Sequence, residues 1–577
     1  MRIAKIFAWI SLSVAPFLFM VYQYKWLSDL PFYDYWHGNY IGSIFLSDNL
    51  INFLSGLLHR SNEHIIVVPK LFYHLNFLLF SGSNYGMYAL NLILNCFTVL
   101  VFFLLIKEMK LCKQDLVIAL PVLSFVFFSP TAGHNWFLAF SGNHWFMANL
   151  FFLTSLFFLI KFIKDYHIFN YFLSVFFVFM SVLTYSTGLM GLIAIAIVFL
   201  PVALNNRKSI SYFCGYICFS VVVFSIIFIT YTKPAHHPSF SIDVFVISNI
   251  IFSFIGNPFT NNHNYVLVIG KVGFLFLCIA TIIFFKYAFI KHKIEDYTPL
   301  SIGWAVCLYS FLNALLAAIS RGGFGNELYG MANRYMNLSV FFWLGLLLFF
   351  YCYIFNFIKI NSRVYLYISK FVFIVIISMT LCIYYKHGLD ISIRYETQAR
   401  HSIYAKMALH LDIYDEEIEN KFIFSSFTEP IRHILKSKSH VPFNENFFDK
   451  FELDHNIMLN TNAVEQDIKE YKYYIDRVVS LNDDWKRIQG WVVSLKNINL
   501  ELNRLYAYNS SDNLIGIGAV NLLRDDVKKV FGFSNARYSG FIIYVNTNKL
   551  CDIMSIYIKA DDKHNVFLTE LILIDKL

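Results

Sequence analysis

The sequence predicts a polytopic α-helical membrane protein of about eleven transmembrane helices, followed by a soluble C-terminal α/β region that ends in a β-sandwich-like module. Three observations predict it. The 577 residues are 57% hydrophobic, more apolar surface than a water-soluble chain of this size can hide. Charge is divided unevenly: 33 of the 84 Asp, Glu, Lys and Arg fall in residues 1–385 and 51 in the last 192. The chain is also 19% aromatic, which suits lipid contact and the interfacial belt. Net charge is +11 over residues 1–385 and −3 over the remainder, with no basic stripe in the tail, so nucleic acid is not an expected partner.

Apolar runs of spanning or near-spanning length occur at 6–22, 86–106, 116–129, 145–160, 169–184, 187–202, 210–230, 272–290, 300–319, 336–358 and 367–385. The first has no good cleavage site and reads as an uncleaved signal anchor. Threading the runs alternately from a cytoplasmic N-terminus places 15 basic residues of this region on one face and seven on the other. By the positive-inside rule the richer face is cytoplasmic. Two further apolar stretches, 65–80 and 242–256, adjoin long outer segments and are expected to be interfacial or re-entrant, because counting either as a span would invert every later loop; counting both as spans is the main alternative. The loops 23–85, 130–144, 231–271 and 320–335, together with the tail, are then extracytoplasmic.

The tail divides at about residue 480. Residues 386–480 mix helical periodicity (396–411) with a short apolar strand at 422–424. From 481 to 577 six short alternating runs, 487–494, 500–508, 514–522, 540–545, 553–559 and 566–574, read as the strands of a small β-sandwich. Trp485 or Trp491 there could stack on glycan, though core packing of Trp491 is the simpler expectation. Cys551 is the tail's only cysteine, so a disulfide within the tail is impossible.

Ionisable groups at the mouth of a helical bundle are costly and point to function. Of eleven acids in residues 1–385, five lie on predicted cytoplasmic loops beside basic residues, leaving Asp29, Asp34, Asp48, Glu63, Asp243 and Glu327 outside. Asp34 lies in Phe32-Tyr33-Asp34-Tyr35-Trp36-His37, an aromatic setting suited to a sugar ring and a general base, or else it caps a helix. Glu63 lies in Arg60-Ser61-Asn62-Glu63-His64 and is either part of a polar ligand site or a local ion pair with Arg60. Arg321 and Arg334 bracket the glycine-rich Gly322-Gly323-Phe324-Gly325, which could offer guanidinium forks and backbone N–H groups to a phosphate. Arg334 could instead anchor a helix end. His134, Trp136 and His144 add groups suited to sugar hydroxyls. Zinc at His134, His144, His236, His237 or His263 lacks any supporting spacing, and no metal or other cofactor is expected.

The aromatic Asp motif after the first helix, Asn62-Glu63-His64, the late Ser320-Arg321-Gly322-Gly323 to Asn333-Arg334-Tyr335 loop and the soluble tail together resemble the bacterial GT-C superfamily of integral-membrane glycosyltransferases. In layout they are most similar to the serotype-converting glucosyltransferases of lipopolysaccharide O-antigen. The resemblance covers residues 1–385. It implies a bacterial inner-membrane hexosyltransferase with a periplasmic C-terminal domain, which moves a sugar, glucose by analogy, from a polyprenyl-phosphate donor to a cell-surface glycan such as O-antigen, with inversion. Its implied partners are the lipid-linked sugar, the glycan acceptor, and the membrane proteins that make and flip the donor.

By the same resemblance Asp34 or Glu63 is the catalytic base, Arg321, Arg334 and His64 hold the donor phosphate, and Trp36, His134, Trp136, His144 and Tyr335 line the sugar or acceptor site. Asp34 stands without the adjacent second acid of many relatives, which leaves the base open between Asp34 and Glu63 and weakens a case for a divalent metal. The alternatives are an O-antigen polymerase or ligase that uses a lipid-pyrophosphate glycan, and a transporter or flippase. The last calls for charges along helix interiors, and the predicted spans are nearly free of acids.

Overall fold

The computed structural model describes residues 27–36, 49–109, 113–235, 237–291, 294–358, 363–422, 428–444, 471–495, 503–509, 513–549, 554–559 and 565–571, with a few isolated residues besides. The chain forms two compact units: one holds residues 1–25, 39–80 and 84–395, and the other holds 26–38, 81–83 and 396–577.

The first unit is a helical bundle. Among the described residues nine helical segments are long and apolar enough to cross a membrane. A tenth, Ile168–Thr184, has 17 residues and rises about 26 Å, near the ~30 Å of a hydrocarbon core. The first candidate span, 6–22, lies almost wholly outside the described residues. Hydrocarbon offers no partner for a polar group, so side chains facing neighbouring helices bond across the gap. Ser155 Oγ donates to Ser174 O (2.8 Å), Ser181 Oγ to Ala148 O (2.8 Å) and Tyr309 OH to Asn149 Oδ1 (3.0 Å).

Charged groups collect at the two ends of the bundle. At one end Glu108 pairs with Lys161 and Lys164 (2.7 Å each), and Asp115 pairs with Lys370 (3.0 Å). These are segments that the threading assigned to a single face. The loops assigned to the opposite face meet at the other end.

The stretches 65–80 and 242–256 form the helices Val67–Phe80 and Val244–Gly256, of 14 and 13 residues. At 1.5 Å per residue each rises only about 20 Å. Both ends of each lie at the same end of the bundle. Val67–Phe80 begins just after His64, and the helix that follows it starts with Asn84 and Tyr88, whose side chains donate to Phe137 O (3.5 and 3.0 Å). Val244–Gly256 begins after Ser241, whose N–H donates to Ile319 O (3.0 Å), and ends where Asn257 Nδ2 donates to Gly330 O (3.5 Å). Neither crosses the bundle.

The last helix differs from its expected extent. In place of a span ending at 385, one helix runs from Arg363 to Leu411, because no proline or N-cap interrupts it where polar residues begin. The boundary between units falls inside this helix, after Tyr395.

The second unit corrects the expected sandwich. Seven strands, β1 (Tyr471–Ser480), β2 (Trp485–Ser494), β3 (Asn503–Asn509), β4 (Leu514–Leu522), β5 (Gly540–Asn546), β6 (Met554–Lys559) and β7 (Asn565–Leu571), form one antiparallel sheet in the order β1-β2-β5-β4-β3-β6-β7. β1 was missed because its side chains are mostly exposed on both faces, so it has no apolar alternation. One face of the sheet gathers Ile488, Leu505, Ile515, Phe541 and Ile543 into a single core. Helices cover the other face where a second sheet was expected. Leu411 packs on Tyr506 and Tyr508, and Val527 of the helix Asp525–Phe531 packs on Val493. Trp491 meets Phe531 at 5.7 Å between ring centroids, a packing role.

The polar attachments of this unit are buried. Arg487 pairs with Asp415 (2.5 Å) and with Glu417, while Tyr544 OH donates to Asp415 Oδ2 (2.8 Å). Arg400 bonds to Asn521 and Glu396 and lies 4.2 Å over the Tyr538 ring. Of the strand expected at 422–424, Phe422 is a buried turn residue packed on Phe32, and the following residues lie outside those described.

Candidate functional site: a carboxylate among arginines

The bundle's second charged end is organised by the segment Arg60–Ile66. Ser61 and His64 exchange backbone hydrogen bonds (3.0 and 2.9 Å) across a tight turn whose Asn62 takes a left-handed φ of +50°, a conformation Asn tolerates better than most residues. Arg60 braces the turn from outside. Its guanidinium donates to Glu63 O (3.1 Å), Ile227 O (2.8 Å) and Thr230 Oγ1 (2.6 Å), so it holds backbone and not the Glu63 carboxylate.

Lys70, in an apolar helix, is fully buried and donates to Gly56 O and His59 O (2.6 Å each), satisfying carbonyls at the end of the helix Leu50–Leu58. A buried carbonyl left without a donor costs about 1–3 kcal/mol. Lys70→Met is therefore expected to lower stability by a few kcal/mol, read as an earlier thermal unfolding midpoint of the purified protein; an unchanged midpoint would remove this role.

The turn directs Glu63 into a cluster of cations. Oε1 pairs with Arg321 Nη2 and lies 3.2 Å from His64 Nε2, and Oε2 lies 3.5 Å from His237 Nδ1. Oε2 is buried and has no hydrogen bond among the described residues. Arg321 Nη1 faces His237 Nε2 at 2.8 Å, so both of its terminal nitrogens are engaged. His237, reached from the loop between the helices Arg207–Ile229 and Val244–Gly256, was not expected here; its place between Pro234 and Pro238 on an outer loop was the available signal. Gly322 and Gly323 allow this approach: a Cβ on either would come within 2.5 Å of Ser241 or Ser239. The glycines thus serve close packing of the loop that carries His237.

Beyond Glu63 the groups close into a ring. The His64 imidazole lies 4.1 Å from Tyr185, which lies 4.7 Å from Trp145; Trp145 meets Tyr335 edge-on at 5.9 Å. Arg334 stacks over Tyr335 and Tyr329 (5.3 Å each) and bonds to the Tyr329 hydroxyl. Tyr329 stacks on Phe324 at 5.5 Å, and Arg321 lies 5.9 Å over Phe324, which returns the path to Glu63. Among the described residues Arg334 has no carboxylate partner. Tyr185 and Ser186 also escaped the sequence reading; they are the only residues between the two apolar runs 168–184 and 187–205.

His64 Nε2 faces a carboxylate and must carry the proton there, so Nδ1 accepts from Ser186 Oγ (2.7 Å). Burial drives the His64 pKa down to about 4 against the pull of Glu63. It is neutral near pH 7 and lies against the carboxylate. Burial raises the Glu63 pKa, but His64, Arg321, its own backbone N–H and His237 together outweigh it, and the carboxyl stays below the usual range. Both groups bind protons more weakly than in an unfolded chain, with Arg321, Arg334 and His237 facing them from other loops. Stability therefore falls as pH drops through the window from about 6.5 to about 4. His64→Gln is expected to flatten that part of a plot of unfolding midpoint against pH; a wild-type midpoint constant across the window would refute it.

The other expected site residues are placed as follows. The backbone of Asp34 lies in the short turn Tyr33–Trp36 of the second unit, and its side chain is outside the described residues. Trp36 is fully buried and donates its indole N–H to Pro31 O (2.9 Å), which leaves no polar edge for a ligand. Trp136 is fully buried among Phe19, Phe128 and Phe146, a core position. His144 is buried, bonded to Tyr73 and stacked on Tyr185 at 5.5 Å, directly behind the ring. His134 lies on the turn Gly133–Phe137, 6.5 Å from Tyr395, while the neighbouring Asn135 donates to Arg334 O (3.1 Å). His236 is outside the described residues, and His263 begins the helix His263–Phe285.

The remaining outer acids are engaged: Asp29 pairs with Lys406, Asp243 caps Val244–Gly256, and exposed Glu327 accepts from Asn249 (3.0 Å); Asp48 is outside the described residues. Compared with known proteins, the chain matches no family model, no curated protein and no solved structure. The chemistry of the site is read from its own groups.

Proposed function

We propose that this chain is a membrane glycosyltransferase that moves a hexose from a polyprenyl-phosphate donor to a cell-surface glycan, with Glu63 as general base and Arg334 and Arg321 on the donor phosphate. The observation that carries the reading is the buried Glu63 Oε2, free of a hydrogen bond among the described residues and set beside arginines in a ring of aromatic side chains. An oxygen so placed can take the proton of an acceptor hydroxyl as that hydroxyl attacks the anomeric carbon. The bond from that carbon to the phosphate oxygen breaks on the opposite side, and the lipid phosphate leaves with its charge held by guanidinium. One displacement inverts the centre.

General-base assistance is worth roughly 10² to 10⁴ in rate. Charge stabilisation of the leaving phosphate in a poorly hydrated site adds a further few kcal/mol. Tyr185 and Tyr329, both part-exposed, offer faces for a pyranose ring, and the buried Trp145 and Tyr335 behind them help to exclude water, the competing acceptor. On this reading the transfer takes place at the periplasmic face of a bacterial inner membrane, where no nucleotide sugar is present and a lipid-linked donor is needed.

The test replaces Glu63 with Gln and Asp34 with Asn separately, confirms membrane levels, and follows glycan modification in cells supplied with the lipid donor. Loss with the first and retention with the second assigns the base to Glu63. Normal modification by both removes the assignment.

A further inference from the structure

Arg321 cannot serve Glu63 and a ligand with the same atoms. Its Nη2 is bonded to Glu63 Oε1 and its Nη1 lies 2.8 Å from His237 Nε2, so an anion that approaches Nη2 competes with the Glu63 carboxylate. His64 Nε2 lies 3.2 Å from the same carboxylate oxygen and Arg60 braces the Glu63 backbone carbonyl, so the turn itself sets where the carboxylate sits. Arg334, by contrast, is held through aromatic faces and a phenol and has no carboxylate among the described residues. A carboxylate and a phosphate offer a guanidinium the same planar pair of acceptor oxygens.

We propose that Glu63 is an internal competitor for the anion site: in the unliganded protein its carboxylate fills the place on Arg321 that an incoming phosphate group takes, so that phosphate binding and release of Glu63 from Arg321 are one event. The inference deepens the transferase reading and rests on it for the identity of the anion, the phosphate of a prenyl lipid. The consequence is ordered activation. Before the donor arrives, Glu63 is tied to a cation and is a poor base. Once phosphate draws Arg321 away and brings its own negative charge nearby, the carboxylate gains proton affinity just when an acceptor hydroxyl must lose its proton. Water reaching the empty site meets a base still held by Arg321.

The test measures binding of inorganic phosphate and of a soluble short-chain prenyl phosphate to the full-length protein in nanodiscs by calorimetry. Glu63→Gln removes the competing charge and is expected to bind both probes tighter than wild type by about tenfold or more. Arg321→Met in the Glu63→Gln background should abolish the gain. Should Glu63→Gln not accumulate folded, Glu63→Asp, which shortens the reach to Arg321 by one methylene, is expected to give an intermediate gain. Equal or weaker binding in the Glu63 variants, or a gain that survives loss of Arg321, would overturn the proposal. Prenyl phosphate should bind tighter than inorganic phosphate; equal affinities would overturn the lipid identity of the anion. A sugar-transfer assay run in parallel separates the two ideas. Competition without any wild-type transfer retires the transferase reading alone, whereas wild-type transfer with unchanged anion affinity in Glu63→Gln retires the competition alone.

Discussion

Glu63→Gln should reduce sugar transfer by roughly 10² to 10⁴ while leaving the protein at normal levels in the membrane. The amide keeps the shape of the carboxylate and can still lie against His64 Nε2, so the turn built by Ser61, Asn62 and His64 has no reason to open. What it lacks is the ability to take a proton at the position of Oε2. The same change removes one charge from a site that holds Arg60, Arg321 and Arg334, so donor affinity should rise as turnover falls. A variant that lost turnover and donor affinity together would contradict the competition proposed for Glu63, and one that kept turnover would show that the base lies elsewhere. Separate measurement of kcat and KM distinguishes these cases.

The second large effect is expected at Arg334. Its guanidinium carbon lies 5.3 Å from the centroids of two tyrosine rings, and the group bonds to one of their hydroxyls. A lysine keeps the charge but has no planar face to stack and no fork to present to two phosphate oxygens. Arg334→Lys should therefore weaken donor binding by about 2 kcal/mol, and Arg334→Met by more, since the leaving phosphate then loses a cation in a site with little water. The readout is KM for the lipid donor together with kcat. Unchanged values for the lysine variant would assign Arg334 to helix anchoring alone.

Part of this arrangement was legible in the sequence from the way charged residues alternate with apolar runs. Alternate threading placed residues 60–64, 130–144, 231–241 and 320–335 on one face, and the structure brings groups from all four to one end of the helical bundle. Glu108, Lys161, Lys164, Asp115 and Lys370, assigned to the opposite face, pair with one another. The two short apolar stretches were recognisable by their polar interruptions, Lys70 and Asp243, which cap the helices Leu50–Leu58 and Val244–Gly256.

Partnerships between distant loops were not legible. Sequence proximity favours Arg60 as the partner of Glu63, yet Arg60 reaches backbone carbonyls, and the ion pair is made by Arg321, 258 positions away. Aromatic residues were the least decidable, since a Trp that stacks on sugar and a Trp that fills a core share the same local context. Burial of Trp36 and Trp136, and the placing of Tyr185 and Tyr335 beside His64 and Arg334, depend on the packed helices and not on local pattern. In the tail, strand positions were readable from alternation, but whether strands divide into two sheets depends on what covers them. Here Leu411 of a long helix and Val527 of a short one take the place of a second sheet.

One reconstitution tests the proposed transfer most directly. Purified protein in proteoliposomes would be given a polyprenyl-phosphate hexose carrying a radiolabel in the sugar, and an acceptor glycan, with no nucleotide sugar present. Label should pass to the glycan with inverted anomeric configuration, releasing one polyprenyl phosphate for each sugar moved. A folded protein that leaves the label on the lipid, or that transfers sugar only when a nucleotide donor is added, would contradict it.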